Sequence, residues 1–101
     1  MKARLRFYSK ISVVHNSGLK VALAELKVWD VGISVHYPLG IKYGMFLVQP
    51  SNGLIIVGMD NHKPKVPHLH MNGNEMAYAF LSIERLIDDF WRLAAQEGYD
   101  V

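Results

Sequence analysis

Ala3-Arg4-Leu5-Arg6-Phe7-Tyr8-Ser9-Lys10-Ile11-Ser12-Val13 alternates in polarity. Ala3, Leu5, Phe7, Ile11 and Val13 fall on one parity, and Arg4, Arg6, Tyr8, Lys10 and Ser12 on the other. Period two over this length predicts a half-buried strand. His15-Asn16-Ser17-Gly18 then reads as a turn, because Asn and Gly tolerate positive φ. A second strand follows from Leu19 to Trp29. Its apolar parity begins on Leu19, Val21 and Leu23 and switches to Leu26 and Val28, which predicts a β-bulge near Ala24-Glu25. The two segments form a long hairpin.

Outward from this hairpin, residues 30–40 hold Gly32, Pro38 and Gly40 and read as a loop. Strands are predicted over Ile41–Gln49 and Leu54–Asp60, joined by the turn Pro50-Ser51-Asn52-Gly53. Both are apolar on both parities, as expected where both faces are covered. A short last hairpin of His68–Met71 and Met76–Phe80 turns around Asn72-Gly73-Asn74. Ser82 is suited to cap a helix, with Glu84 in its first turn where the helix dipole favours an anion. Ile83, Leu86, Ile87, Phe90 and Ala94 recur at helical spacing, and Gly98 stops the run. Strands followed by one helix predict an α+β domain. Its expected form is a twisted antiparallel sheet of about four to six strands with the C-terminal helix packed on a face, and residues 1–101 form a single domain.

Of the 101 residues, half are apolar and a fifth charged, which excludes a disordered or fibrous chain. There is no cysteine, hence no disulfide, thiolate metal site or cysteine nucleophile. The charged start Met1-Lys2-Ala3-Arg4 does not read as a signal peptide, and the run Leu54–Val57 is too short to cross a bilayer. A cytoplasmic, non-membrane protein is expected. Net charge is +2 but segregated: residues 1–74 hold nine Lys and Arg against three acids, and residues 75–101 two Arg against six acids. Such a chain suits an anionic partner on one side and a basic one on the other, or simply has an uneven surface.

Chemistry concentrates in Asp60-Asn61-His62-Lys63-Pro64-Lys65-Val66-Pro67-His68-Leu69-His70, which holds three of the five histidines. His68 and His70 are two apart and share a face on a strand. Three readings stand side by side. Two imidazoles with Lys63 or Lys65 suffice for metal-free RNA cleavage: one takes the 2′-hydroxyl proton, the other protonates the leaving oxygen, and a lysine stabilises the phosphorane. His-x-His with His62 or Asp60 could hold a transition metal. A proline-containing loop can also be polar merely because it is solvated. Lys42 offers a phosphate contact, and Tyr43 either stacks on a base or is a core aromatic. Arg4, Arg6 and Lys10 form a basic stripe that could hold single-stranded nucleic acid or simply protect an edge strand. No Walker loop, dinucleotide fingerprint, serine elbow or zincin motif is present.

The order Gly40-Ile41-Lys42-Tyr43, Gly58-Met59-Asp60-Asn61, Lys65, His68-x-His70, Glu75-x-x-Tyr78-x-Phe80 and Ser82-Ile83-Glu84-Arg85-Leu86-Ile87-x-Asp89-Phe90 resembles the TumE-type family of prokaryotic toxin–antitoxin operons. The resemblance covers almost the whole chain, and Asp60–His70 is its most specific part. It implies a cytoplasmic toxin, an antitoxin with a helix-turn-helix domain that silences it, and an attack on RNA or translation. It carries over to Lys42, Tyr43, Asp60, Asn61, Lys65, His68 and His70. Pro64 and Pro67 stand where the family often has a glycine-rich linker, and His62 lies outside the pattern.

The resulting expectation is a toxin acting as a metal-independent ribonuclease without cofactor. His68, His70, Asp60 and Lys65 are its catalytic residues, and Lys42, Tyr43, Asn61, Lys63, Arg4 and Arg6 its RNA contacts. The alternatives are a non-catalytic partner of a DNA-binding regulator and a histidine-based metal enzyme. Association of identical copies is compatible with each.

Overall fold

In the computed structural model, which describes residues 3–62 and 68–100, alternation and turn chemistry produce a six-stranded antiparallel meander. The strands are β1 (Arg4–Val14), β2 (Val21–Asp30), β3 (Ile41–Gln49), β4 (Leu54–Asp60), β5 (His68–Met71) and β6 (Asn74–Ala77), ordered as in the chain. One helix, α1 (Ile83–Gln96), follows. The α+β arrangement expected from the element order is therefore present. β3 and β4 have the bounds read from their apolar runs.

One face of the sheet carries the core. Leu26 lies opposite Met45, Met45 opposite Met59, and Met59 opposite Leu69. Leu86, Phe90 and Ala94 of α1 are fully buried against this face, together with Leu26, Met45, Leu47, Val57 and Met59. Ser82 caps α1 by accepting from the Arg85 backbone N–H at 3.1 Å. Beyond α1, Gly98 takes φ +90°, and a β-carbon there would run into Nε2 of His15. The Gly98 carbonyl accepts from the Asn16 backbone at 2.8 Å, and the His15 ring meets Tyr99 edge-on at 5.0 Å. These contacts tie the end of the chain to the β1–β2 turn.

Three expectations need correction. The register of β2 against β1 is continuous through Ala24 and Glu25, and the irregularity lies between Leu5 and Phe7 instead. Ala22, Ala24, Leu26 and Val28 form one unbroken buried parity, so the small alanines, not Val21 and Leu23, face the core. The shift at Arg6 pairs Leu5 with Trp29 and Phe7 with Val28, so these two residues of equal parity lie on opposite faces. β1 is also less buried than its alternation suggests, since only Val13 is buried; it is an edge strand. Finally, β6 begins at Asn74, and the last turn is the two-residue Asn72-Gly73, with φ of 53° and 76°. Positive φ at both positions is the type I′ pattern that matches strand twist. Among the described residues, no helix is long and apolar enough to cross a membrane.

Candidate functional site

The face opposite α1 is organised by the same register. Gly44 lies opposite Asp60, Asp60 opposite His68, and His68 opposite Ala77. The adjacent row runs Phe46, Gly58, His70, Glu75. Paired residues project to one side of the sheet, so Asp60, His68, His70 and Glu75 converge on this face. A β-carbon at Gly58 would lie 3.0 Å from the Phe46 ring, which therefore rests directly over the Gly58 backbone beside His70.

The four polar groups form two carboxylate–imidazole pairs. Asp60 Oδ1 is 3.5 Å from Nε2 of His68, and Glu75 Oε2 is 3.9 Å from Nδ1 of His70. The imidazoles meet edge to face, 4.7 Å between centroids and 87° between planes. His68 is 5% exposed, whereas the His70 side chain is 34% and that of Glu75 50% exposed. The cluster is therefore open to solvent on the His70–Glu75 side. Asp60 Oδ1 also accepts from the His62 backbone at 3.3 Å, which helps fix the carboxylate. His62 itself is exposed.

Asn61 has a different task. Its Oδ1 accepts from the Tyr43 backbone at 2.9 Å and its Nδ2 donates to the Ile41 carbonyl at 2.8 Å. The side-chain amide imitates a strand partner and extends the β3–β4 pairing one residue past Asp60. We therefore assign it to anchoring the end of β4. Tyr43 is 2% exposed on the core side and stacks on Phe80 at 5.3 Å, which is the core-aromatic alternative. Burial first, then the nearby Tyr78 and Asp60, push its hydroxyl pKa up, so it stays protonated.

Lys42 is half-buried, opposite Trp29, and precedes Gly44 by two residues, which puts it on the same face as Asp60. Arg4 and Arg6 lie elsewhere. Their strand β1 is four inter-strand steps from β5, roughly 19 Å at the usual strand spacing. Arg6 is 3.7 Å from the Asp30 carboxylate, and Arg4 lies opposite Asp30. The bulge between Leu5 and Phe7 breaks the single stripe expected from Arg4, Arg6 and Lys10. Lys63 and Lys65 lie outside the described residues.

Glu75 was not among the expected site residues. Counting outward from Asn72-Gly73 as a type I′ turn pairs Met71 with Asn74 and His70 with Glu75. A three-residue turn hides that pairing.

A second polar cluster lies on the core side. Asp89 is 7% exposed and accepts from the Tyr78 hydroxyl at 2.7 Å, Arg92 Nη2 at 3.0 Å and Arg85 Nε at 3.1 Å. Burial acts to raise its pKa, but the three donors together hold it below the ordinary carboxylate value. The Tyr78 hydroxyl is pushed up, by burial first and then by Asp89. This cluster joins the segment after β6 to α1.

A family model described as "Toxin TumE" matches residues 3–97. No curated protein and no solved structure gives a significant match.

Proposed function

The chain belongs to the TumE toxin family, and from that premise we propose that this toxin component of a toxin–antitoxin system cleaves RNA by acid–base chemistry at His68 and His70. The observation that supports this most is the pairing of two imidazoles, 4.7 Å apart, each with a carboxylate behind it. Asp60 lies close enough to His68 to orient that ring, and Glu75 puts a negative charge beside His70, an arrangement suited to proton transfer. His70, the more exposed ring, takes the proton from a ribose 2′-hydroxyl. The 2′-oxygen attacks the adjacent phosphorus, and the bond from phosphorus to the 5′-oxygen breaks. His68, held by Asp60, supplies the proton that the departing oxygen needs. The products are a 2′,3′-cyclic phosphate and a free 5′-hydroxyl. Lys42, which lies on the same face, supplies positive charge for the phosphate, and Lys63 and Lys65, close by in sequence, are assigned the same role.

Family membership implies an antitoxin partner. In this reading the antitoxin carries a helix-turn-helix domain and a basic surface that meets the exposed acids Glu84 and Asp88 of α1. Both proteins act in the cytoplasm.

The test is induced expression without the antitoxin, with growth and RNA integrity followed together. Growth arrest with fragments ending in 2′,3′-cyclic phosphate supports the proposal. Arrest with intact RNA contradicts the nuclease and favours a toxin that acts by binding.

A further inference from the structure

His68, His70 and Glu75 carry a second capability. Each offers one ligand atom, and the three atoms lie within 4.8 Å of one another. Among the described residues, this is the one grouping of three such side chains with that geometry. Two ligands come from one strand at i, i+2 spacing, and the third lies directly across the type I′ hairpin from His70. The 3.9 Å between His70 Nδ1 and Glu75 Oε2 is too long for a hydrogen bond. Two ligands about 2.0–2.1 Å from a tetrahedral ion are about 3.3 Å apart, so a small rotation of the half-exposed Glu75 side chain closes the gap. Two imidazoles and one carboxylate suit a first-row transition ion rather than magnesium or calcium, which take oxygen ligands. Asp60, beside His68 Nε2, is placed as the outer carboxylate that orients a metal-bound histidine.

We propose that His68, His70 and Glu75 bind one divalent transition-metal ion of the zinc class, and that this ion inhibits the toxin. A metal on one nitrogen of a neutral imidazole leaves the ring's proton on the other, so His70 has no free lone pair to act as a base, and the ion's charge keeps the coordinated His68 ring from the imidazolium form that a proton donor needs. Binding follows from the ligand geometry alone. Inhibition rests on the histidine reading given under Proposed function.

The test uses the untagged chain freed of metal by chelation. Zn2+ is titrated calorimetrically, and Co2+ is added as a visible-absorbance probe of ligand geometry. One ion per chain is expected. Glu75→Gln should weaken binding at least tenfold and His70→Ala should abolish it, whereas His36→Ala, at an exposed histidine outside this ligand group, leaves it unchanged. Absence of binding, or equal binding by wild type, Glu75→Gln and His70→Ala, overturns the metal site. In parallel, RNA cleavage is followed with and without Zn2+. Cleavage in metal-free buffer that stops on adding Zn2+ supports inhibition. Cleavage that persists with Zn2+ bound overturns inhibition but not the site. Cleavage that requires Zn2+ overturns both inhibition and the metal-free nuclease, while the ligand assignment stands.

Discussion

Asp60 at the end of β4 and His68 at the start of β5 are direct cross-strand partners, with Oδ1 and Nε2 3.5 Å apart. The pair spans the two ends of the stretch that the sequence marks as most chemical. If Asp60 acts through His68, their effects are coupled. Asp60→Asn should slow RNA cleavage by about 10–100-fold, in line with loss of an orienting carboxylate. In the His68→Ala background the same change should have little further effect. Rates of the two single variants and the double variant measure this, and independent, additive losses would separate the residues.

The Asp89 cluster sets a pH dependence. The carboxylate's folded-state pKa lies below its unfolded value. Its contribution to stability is therefore fully present above the unfolded pKa, about 3.9, and is lost as pH falls through the folded value. Denaturation midpoints between neutral pH and pH 3 should fall more for wild type than for Asp89→Asn. Tyr78→Phe, which removes a hydrogen bond to a charged acceptor, should cost about 1.5–3 kcal/mol at neutral pH. Parallel midpoint curves for wild type and Asp89→Asn would show that the cluster does not supply this dependence.

Phe90 is fully buried on α1 and meets Trp91 edge-on at 5.0 Å. Phe90→Ala should destabilise the fold by about 3–5 kcal/mol, read from urea denaturation. A loss below about 1 kcal/mol would mean that α1 contributes little to the core.

Much of this architecture was legible because apolar runs, turn residues and caps agree with one another. β3 and β4 are bounded by Asn52-Gly53 and by polar ends, and Ser82 announces α1. The bulge was misplaced because Leu19, Val21 and Leu23 are larger than Ala22 and Ala24, so size pointed to the wrong parity. Asp89 reads as the twin of Asp88, yet it follows Leu86 by three residues and therefore turns inward while Asp88 stays exposed. Local spacing puts His68 and His70 on one face and offers Asp60 in the same stretch, but it does not give Glu75. The Glu75 pairing depends on the β5–β6 register, which the sequence encodes through the turn type at Asn72-Gly73.

Exposed Glu84 and Asp88 are the expected contact with a basic antitoxin surface. Replacing both with Lys should slow association, with the larger effect at low ionic strength where screening is weak. Stopped-flow or surface-binding kinetics at two salt concentrations would show it. Association rates unchanged at both would move the interface to another face.

The central claim is that His68 and His70 perform the toxic chemistry. The most direct measurement is growth after induction of His68→Ala, His70→Ala and the double variant without antitoxin, with each variant's circular dichroism and antitoxin binding recorded alongside. Either single change should slow RNA cleavage by about 10²–10⁴-fold and remove toxicity while fold and antitoxin binding remain. A folded double variant that arrests growth as wild type does would falsify the account.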